Sequence, residues 1–236
     1  MYKDELLEKL KTSGKLVFNT SDAAELIHLH GPELSNLLGS MDRHGYIEKI
    51  MRGKYYLKSA PVKDIFAIAS KIIEPSYVAT ESAFERFGLS NIVPSIIRVI
   101  SFKEHRPISI KSGKIVFIKF GKKRFFGYNE SRWISISSIE KAFVDSLYLG
   151  EFPFFTDLVE YHRRMVAYGR TIDYNKLVEY AIRMDSKVLL NRVGFFLDCI
   201  GKQDAALPLL SKIYKKRKIA LDKSGQTVNN TKWMIR

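Results

Sequence analysis

The first 57 residues follow an order of helical and extended patterns that few small folds share. Leucines at positions 6, 7 and 10 recur at helical spacing, and Gly14 is expected to end that helix. A second helix is expected after a cap at Thr20 or Ser21, with Ala24, Leu26 and Ile27 on its buried face. Pro32 suits the first turn of a third helix. The N-terminal part is therefore predicted to be a bundle of three short helices.

Two extended segments follow the third helix. Residues 46–50 and 54–57 are rich in β-branched and aromatic side chains, and Arg52-Gly53 between them suits a tight hairpin turn. Three helices followed by a β-hairpin is the order of a winged helix-turn-helix, whose third helix lies in the major groove of DNA. The pattern therefore predicts a DNA-binding module.

The third helix has an inward and an outward face. Leu34, Leu37, Leu38 and Met41 are spaced to face the core. Asn36 can pair with adenine in two hydrogen bonds, and serines can donate to bases or phosphates. On and around this helix the predicted DNA-contacting residues are Thr20, Ser21, Pro32, Ser35, Asn36, Ser40 and Arg43. The hairpin adds Lys49, Arg52 and Lys54, which are predicted to meet phosphates or the minor groove.

The charge balance favours a polyanionic partner. The chain has 39 Lys and Arg against 25 Asp and Glu, a formal net charge of +14, and such an excess favours phosphate neutralisation. The alternative is a solvated basic surface. Residues 98–132 carry ten Lys or Arg against two Glu, and aromatic residues interleave with them. A secondary basic patch is predicted at Lys119, Lys122, Lys123 and Arg124, with Phe125 or Phe126 packed in the core.

The fold class predicted from these patterns is α+β. We expect a winged helix-turn-helix over residues 1–60, a connecting helix or linker over 61–76 and a mixed α/β domain over 77–236. Strands are expected at 96–102, 114–120, 124–128 and 133–136, in a small antiparallel sheet. Ser137 and Glu140 form a capping-box pattern at the start of a helix. Three or four further helices are expected over 155–218.

Cysteine content and hydropathy limit the cellular setting. Cys199 is the only cysteine, so an internal disulfide is impossible and a cysteine-based zinc site is nearly excluded. Its apolar neighbours predict a small core residue. The charged N-terminal segment lacks the apolar centre of a signal peptide, and no apolar run reaches membrane-spanning length. We therefore expect a cytoplasmic protein without a membrane partner.

Signatures of enzymes are weak. Residues 39–42 read Gly-Ser-Met-Asp, similar to the start of a nucleotidyltransferase site, but the second carboxylate for a shared metal is absent. His28 and His30 lack nearby carboxylates, so neither a metal nor another cofactor is expected, and no catalytic residue is assigned. Two alternatives stay open: a nucleic-acid-processing enzyme with carboxylates drawn from Glu140, Asp145 and Asp157, and an RNA or protein adaptor that uses the winged helix.

Four segments resemble a known family. They are TSDAAELIHLHGPELSNLLGSMDRHGYIEKIMRGKYYL (20–57), YVATESAFERFGLSNIVP (77–94), KRFFGY (123–128) and ISISSIEKAFVDSLYL (134–149). As an ordered set they are similar to the AbiEi-type antitoxins, which are also described as predicted transcriptional regulators of viral defence systems. The C-terminal helices match only loosely.

The resemblance implies both a function and its partners. It implies a winged-helix domain that represses its own operon at repeated, typically inverted, operator sequences. It also implies a C-terminal domain that opposes a nucleotidyltransferase-like toxin encoded next door, in the type IV manner that does not require direct contact with the toxin.

Overall fold

The protein is a mixed α+β chain with ten named helices and two sheets among the described residues. The structure is a computed structural model that describes residues 2–58, 64–90, 95–110, 113–131 and 133–236. The helices are α1 (Tyr2–Ser13), α2 (Thr20–Ile27), α3 (Gly31–Arg43), α4 (Ile65–Ile72), α5 (Thr80–Arg86), α6 (Ile139–Leu149), α7 (Phe155–Ala167), α8 (Tyr174–Arg183), α9 (Lys187–Cys199) and α10 (Gln203–Ala206). The strands are β1 (Val17–Asn19), β2 (Ile47–Met51), β3 (Lys54–Leu57), β4 (Ser76–Val78), β5 (Ile96–Ser101), β6 (Ile108–Ile110), β7 (Gly113–Lys119), β8 (Tyr128–Glu130) and β9 (Ser135–Ser137).

The chain divides into two compact units that are each assembled from separate segments. The first unit contains Met1–Tyr77, Ser95–Lys119 and Glu130–Ser135, and the second contains Val78–Pro94, Phe120–Asn129 and Ile136–Arg236. The predicted domains are continuous instead, and the predicted boundary after residue 60 lies outside the described residues. The division at 60 and 76 stays a prediction.

The smaller sheet has three antiparallel strands in the order β1-β3-β2. The hairpin of β2 and β3 is confirmed, with Ile47 opposite Leu57. Strand β1, with Val17 opposite Tyr56, was not predicted. Its three residues are too few to show an alternating pattern, and they are extended because they pair with β3. The core beside this sheet contains Leu6, Leu10, Phe18, Leu38, Met41 and Ile47, all buried.

The larger sheet has six strands in the order β6-β7-β5-β4-β9-β8. Strands β5 and β7 are parallel, as are β4 and β9, whereas β6 and β7 are antiparallel. The prediction of a small antiparallel sheet is therefore wrong, and this sheet is mixed. Glycine separators predict turns equally well for either direction, because strand direction depends on how the connection crosses the sheet.

The predicted strand at 124–128 is also wrong. Residues Lys122–Arg124 form a 3₁₀ turn, and the strand begins only at Tyr128. The reason is packing within the second unit. The Arg124 Nε donates to the carbonyl of Met184 at 2.8 Å, and Phe126 is buried edge-on against Tyr180. These contacts hold the segment against the helices of the second unit. Phe126 fulfils the prediction that Phe125 or Phe126 belongs to the core.

Helix caps differ from prediction by about one residue. Asn19, rather than Thr20 or Ser21, is the N-cap of α2, and its backbone N–H donates to Asp22 Oδ2 at 2.7 Å. The cap of α6 is Ser138, whose hydroxyl accepts from the Lys141 N–H. Ile27 of α2 is buried as predicted, whereas Ala23 is buried in place of Ala24 and Leu26, which are half-buried.

The C-terminal segment corrects one expectation and adds a core residue. Cys199 is exposed, so the prediction of a small core residue is wrong. It is the last residue of α9 and does not belong to the buried side of that helix. Trp233 is fully buried, and its Nε1 donates to Asp198 Oδ2 at 2.7 Å. Four helices, α7 to α10, lie in the predicted C-terminal helical region, but the last ends at Ala206, and residues 210–218 are not helical.

A buried histidine predicts a pH dependence of stability. The Nε2 atom of His162 lies 2.8 Å from the Tyr174 hydroxyl, and burial, assisted by the Lys202 charge, lowers the pKa of His162 below its usual 6.5. The unfolded chain therefore takes up this proton at a higher pH than the folded chain. The stabilisation is present above about pH 6.5 and is lost as the pH falls. We expect the Tm to drop between pH 7.5 and pH 5 by less in His162→Gln than in the parent, and His30→Gln, which replaces an exposed histidine, serves as control. An equal drop in all three proteins would contradict this role.

Candidate nucleic-acid interface

Helix α3 presents a polar face in the first unit. Its buried residues are Leu34, Leu38 and Met41, whereas Leu37 is only half-buried. The opposite face is exposed at Pro32, Ser35, Asn36 and Arg43. Since Ser35 and Asn36 lie in the first two turns, their side chains are accessible to a macromolecule that approaches the N-terminal half of the helix.

Ser40 is held differently from the other outward residues. It is half-buried, and its hydroxyl lies 3.4 Å from His44 Nδ1. The same ring nitrogen lies 2.8 Å from the Ser40 carbonyl. His44, which follows the helix, was not recognised from the sequence, although its i+4 spacing from Ser40 is the signal that could have indicated the contact.

The hairpin turn meets the start of α2. Gly53 has φ +71°, a conformation that favours glycine, and its carbonyl accepts from the Thr20 N–H at 3.0 Å. The Thr20 hydroxyl lies 3.4 Å from the same carbonyl, whereas Ser21 is exposed. These contacts keep the Arg52-Gly53 turn beside the α2 start, and Thr20 is half-buried as a result.

Two cations of the hairpin are exposed. Lys49 projects from β2, and its backbone N–H donates to Asp42 Oδ1 at 3.1 Å, which ties the strand to α3. Arg52 occupies the turn. Among the described residues, no carboxylate forms an ion pair with either side chain. Both charges can therefore meet an external anion.

Lys54 lies in a different environment from these two. Its ammonium donates to the Ile72 carbonyl at the end of α4. Burial lowers its pKa, and the carboxylates of Glu74 and Asp22 only partly oppose that effect. A phosphate contact would require the Lys54 ammonium to leave the Ile72 carbonyl. Lys54 is therefore not among the phosphate contacts that we propose.

The four residues of the predicted secondary basic patch have separate roles. Lys119 belongs to the first unit and lies 4.0 Å from Glu104, whereas the other three belong to the second. Lys122 and Lys123 are exposed. Arg124 is bound to the Met184 carbonyl and lies over the Tyr148 ring. Two further cations of the predicted basic zone, at 111 and 132, lie outside the described residues.

The carboxylates considered for catalysis are each occupied by a structural contact. Asp145 pairs with Lys141 where both side chains are fully buried, and Asp157 accepts from the Phe154 N–H at 2.9 Å. Glu140 lies 3.2 Å from Lys176. Within the described ranges, no three or more His, Cys, Asp or Glu side chains are grouped as a metal site would need. His28 and His30 are exposed at the two ends of the α2–α3 turn.

Comparisons with known proteins define the fold alone. No family model matches the chain, and no curated protein matches its sequence. A solved structure does match: the crystal structure of RV2827C protein from Mycobacterium tuberculosis, with a TM-score of 0.63 and 14% identity. The match covers 99% of this chain and 90% of that chain. The two proteins therefore share their fold over nearly their whole lengths.

Across the part of the chain that the structure describes, none of the helices has both the length and the apolar composition to span a membrane.

Proposed function

We propose that residues 1–60 form a winged helix-turn-helix that binds duplex DNA in a sequence-specific manner. The observation that carries this proposal is the exposed polar face of α3, with Ser35 and Asn36, in the same compact unit as the exposed Lys49 and Arg52 of the hairpin. Groups that read base edges and groups that meet phosphates are the two components of specific DNA recognition. The net charge of +14 supports the same partner.

The proposal extends to regulation of the protein's own operon. The resemblance to AbiEi-type antitoxins supports an autorepressor that binds inverted repeats in its operator and opposes a nucleotidyltransferase-like toxin encoded nearby, without an obligatory contact between the two proteins. Growth of cells that express the adjacent gene tests the antitoxin role. Co-expression of this chain should restore growth if it is an antitoxin, and continued arrest would leave only the DNA-binding role.

The test of DNA binding compares the DNA upstream of the gene with a scrambled duplex of equal length. Binding is measured by titration across a salt series. We expect a preference on the order of a thousandfold for the upstream DNA, as specific repressors show. Equal affinity that falls steeply with salt would indicate only a basic protein and would contradict the repressor assignment.

Asn36 is expected to affect sequence preference more than overall affinity. An asparagine in the major groove can bond adenine in two hydrogen bonds, and a pair of that kind discriminates by about 1–3 kcal/mol. Asn36→Ala should therefore lose about tenfold or more on the preferred operator and little on the scrambled duplex, measured by competition titration. The exposed Asn175 of the second unit provides the matched control, Asn175→Ala. An equal loss on both duplexes would argue against base reading.

The hairpin cations are expected to act on every duplex alike. Replacing both Lys49 and Arg52 with alanine removes two phosphate contacts, so the plot of log K against log salt should become less steep by about 2. The exposed pair Lys215 and Arg217 supplies a control of equal charge change in the other unit. If the parent and the Lys49/Arg52 variant have the same slope in a filter-binding titration, the hairpin does not contact DNA.

A second candidate function rests on the charge of α3. Its exposed positions before Arg43 include Glu33 but neither Lys nor Arg. This favours a partner that depends less on phosphate contacts, such as a protein recognised through the same face. Weak duplex affinity that does not depend on sequence would support this adaptor and exclude the repressor.

A further inference from the structure

A cavity of about 570 Å³ lies among the helices of the second unit. Small-molecule sites have volumes of this order, with an apolar wall and a few polar groups that fix orientation. Its lining includes the apolar residues Phe87 and Ile139 and the charged residues Glu140, Arg170 and Lys176. Phe87 and Ile139 are half-buried and offer apolar surface to the cavity, whereas Arg170 is exposed.

Glu140 places a carboxylate at this cavity that is almost entirely removed from solvent. The residue is only 6% exposed, and Lys176 Nζ lies 3.2 Å from its Oε2 atom. Within the described residues, no donor bonds its second oxygen, Oε1. A buried carboxylate gains from every hydrogen bond it accepts. An ammonium group of a ligand would complete its partners while Lys176 keeps Oε2.

Arg170 supplies the opposite charge. Its Nη1 donates to the Phe87 carbonyl, a contact that fixes the guanidinium at the cavity. No acceptor in the described parts of the chain bonds its other N–H groups. A guanidinium with a free pair of N–H donors binds a carboxylate in two parallel hydrogen bonds.

We propose that this cavity binds a free α-amino acid with an apolar side chain. The ammonium bonds Glu140, the carboxylate bonds Arg170, and the side chain packs on Phe87 and Ile139. A zwitterion satisfies both charged groups and leaves the net charge of the site unchanged. A carboxylic acid without an amine satisfies only Arg170, and an amine without a carboxylate satisfies only Glu140.

The test is calorimetric titration of the full chain with four probes. They are L-leucine, glycine, 4-methylpentanoate, which lacks the ammonium, and 3-methylbutylamine, which lacks the carboxylate. We expect L-leucine to bind with a Kd below about 1 mM and each of the other three to bind at least about tenfold more weakly, because each lacks one of the three contacts. Absence of heat at about 10 mM L-leucine, or equal binding of 4-methylpentanoate, would overturn the proposal.

Variants locate the binding. Arg170→Gln and Glu140→Gln should each weaken L-leucine binding by at least about tenfold. Arg163→Gln is the matched control, because Arg163 is exposed on the neighbouring α7 and pairs with Glu160 outside the cavity. Arg170 is exposed, so its substitution leaves the core intact, and thermal denaturation verifies this. Unchanged binding in Arg170→Gln would refute the assignment.

Discussion

Lys141→Met is expected to lower the free energy of unfolding by about 3–5 kcal/mol, because it removes the ammonium that pairs with a fully buried carboxylate. Lys141 and Asp145 are one helical turn apart on α6, and neither side chain is exposed. The ammonium also lies 4.8 Å from the centre of the Phe126 ring and 5.3 Å from that of Phe120. Burial lowers the pKa of Lys141, and the charge of Asp145 opposes that effect.

The double variant Lys141→Met, Asp145→Leu separates the loss of the pair from the loss of packing. Removing both charges removes the cost of burying a carboxylate that has lost the Lys141 ammonium, so most of the stability should return. Urea unfolding measures all three proteins, and the exposed Lys216→Met is the control that changes only surface charge. A double variant as unstable as the single one would show that the methylene packing of Lys141, rather than its charge, stabilises α6.

Trp233→Ala is the other substitution with a large expected effect, about 3–5 kcal/mol. The indole is fully buried against α9, and a Cβ placed on Gly194 would lie 2.1 Å from the ring. Its Nε1 donates to Asp198, and its carbonyl accepts from Asn191 Nδ2 at 2.7 Å. Only a glycine at 194 lets the ring approach the helix this closely.

Two further variants test this packing by urea unfolding. Gly194→Ala should cost about 1–3 kcal/mol, because the added methyl overlaps the ring and the indole must shift. Leu207→Ala removes an apolar side chain that is 56% exposed and should have little effect. A loss below about 1 kcal/mol in Trp233→Ala would show that the C-terminal segment unfolds independently of the remaining core.

The long helices could be predicted because their evidence is local. In α3 the leucines recur at helical spacing and Pro32 marks its first turn, and both signals lie within the helix itself. The hairpin was predicted for the same reason, since Arg52-Gly53 and its flanking residues suffice to indicate it. The exposed positions of Ser35, Asn36 and Arg43 then follow from helix geometry alone.

The short strands could not be predicted because they depend on distant partners. Strands β1, β4 and β6 have three residues each. Strand β1 is extended because it pairs with β3, some 37 residues further along the chain. The parallel pairing of β5 and β7 likewise depends on how the intervening chain crosses the sheet, which no local pattern indicates.

The sequence shows which residues are charged, but it does not show which group of the protein each charged side chain contacts. The sequence by itself determined a basic chain with three N-terminal helices, a hairpin and a helical C-terminal region. Only the tertiary structure decided that Lys54 bonds the Ile72 carbonyl, that Arg124 bonds the Met184 carbonyl and that Cys199 is exposed. Helix periodicity repeats within one or two turns, but the contacts of a side chain depend on which distant segments fold against it.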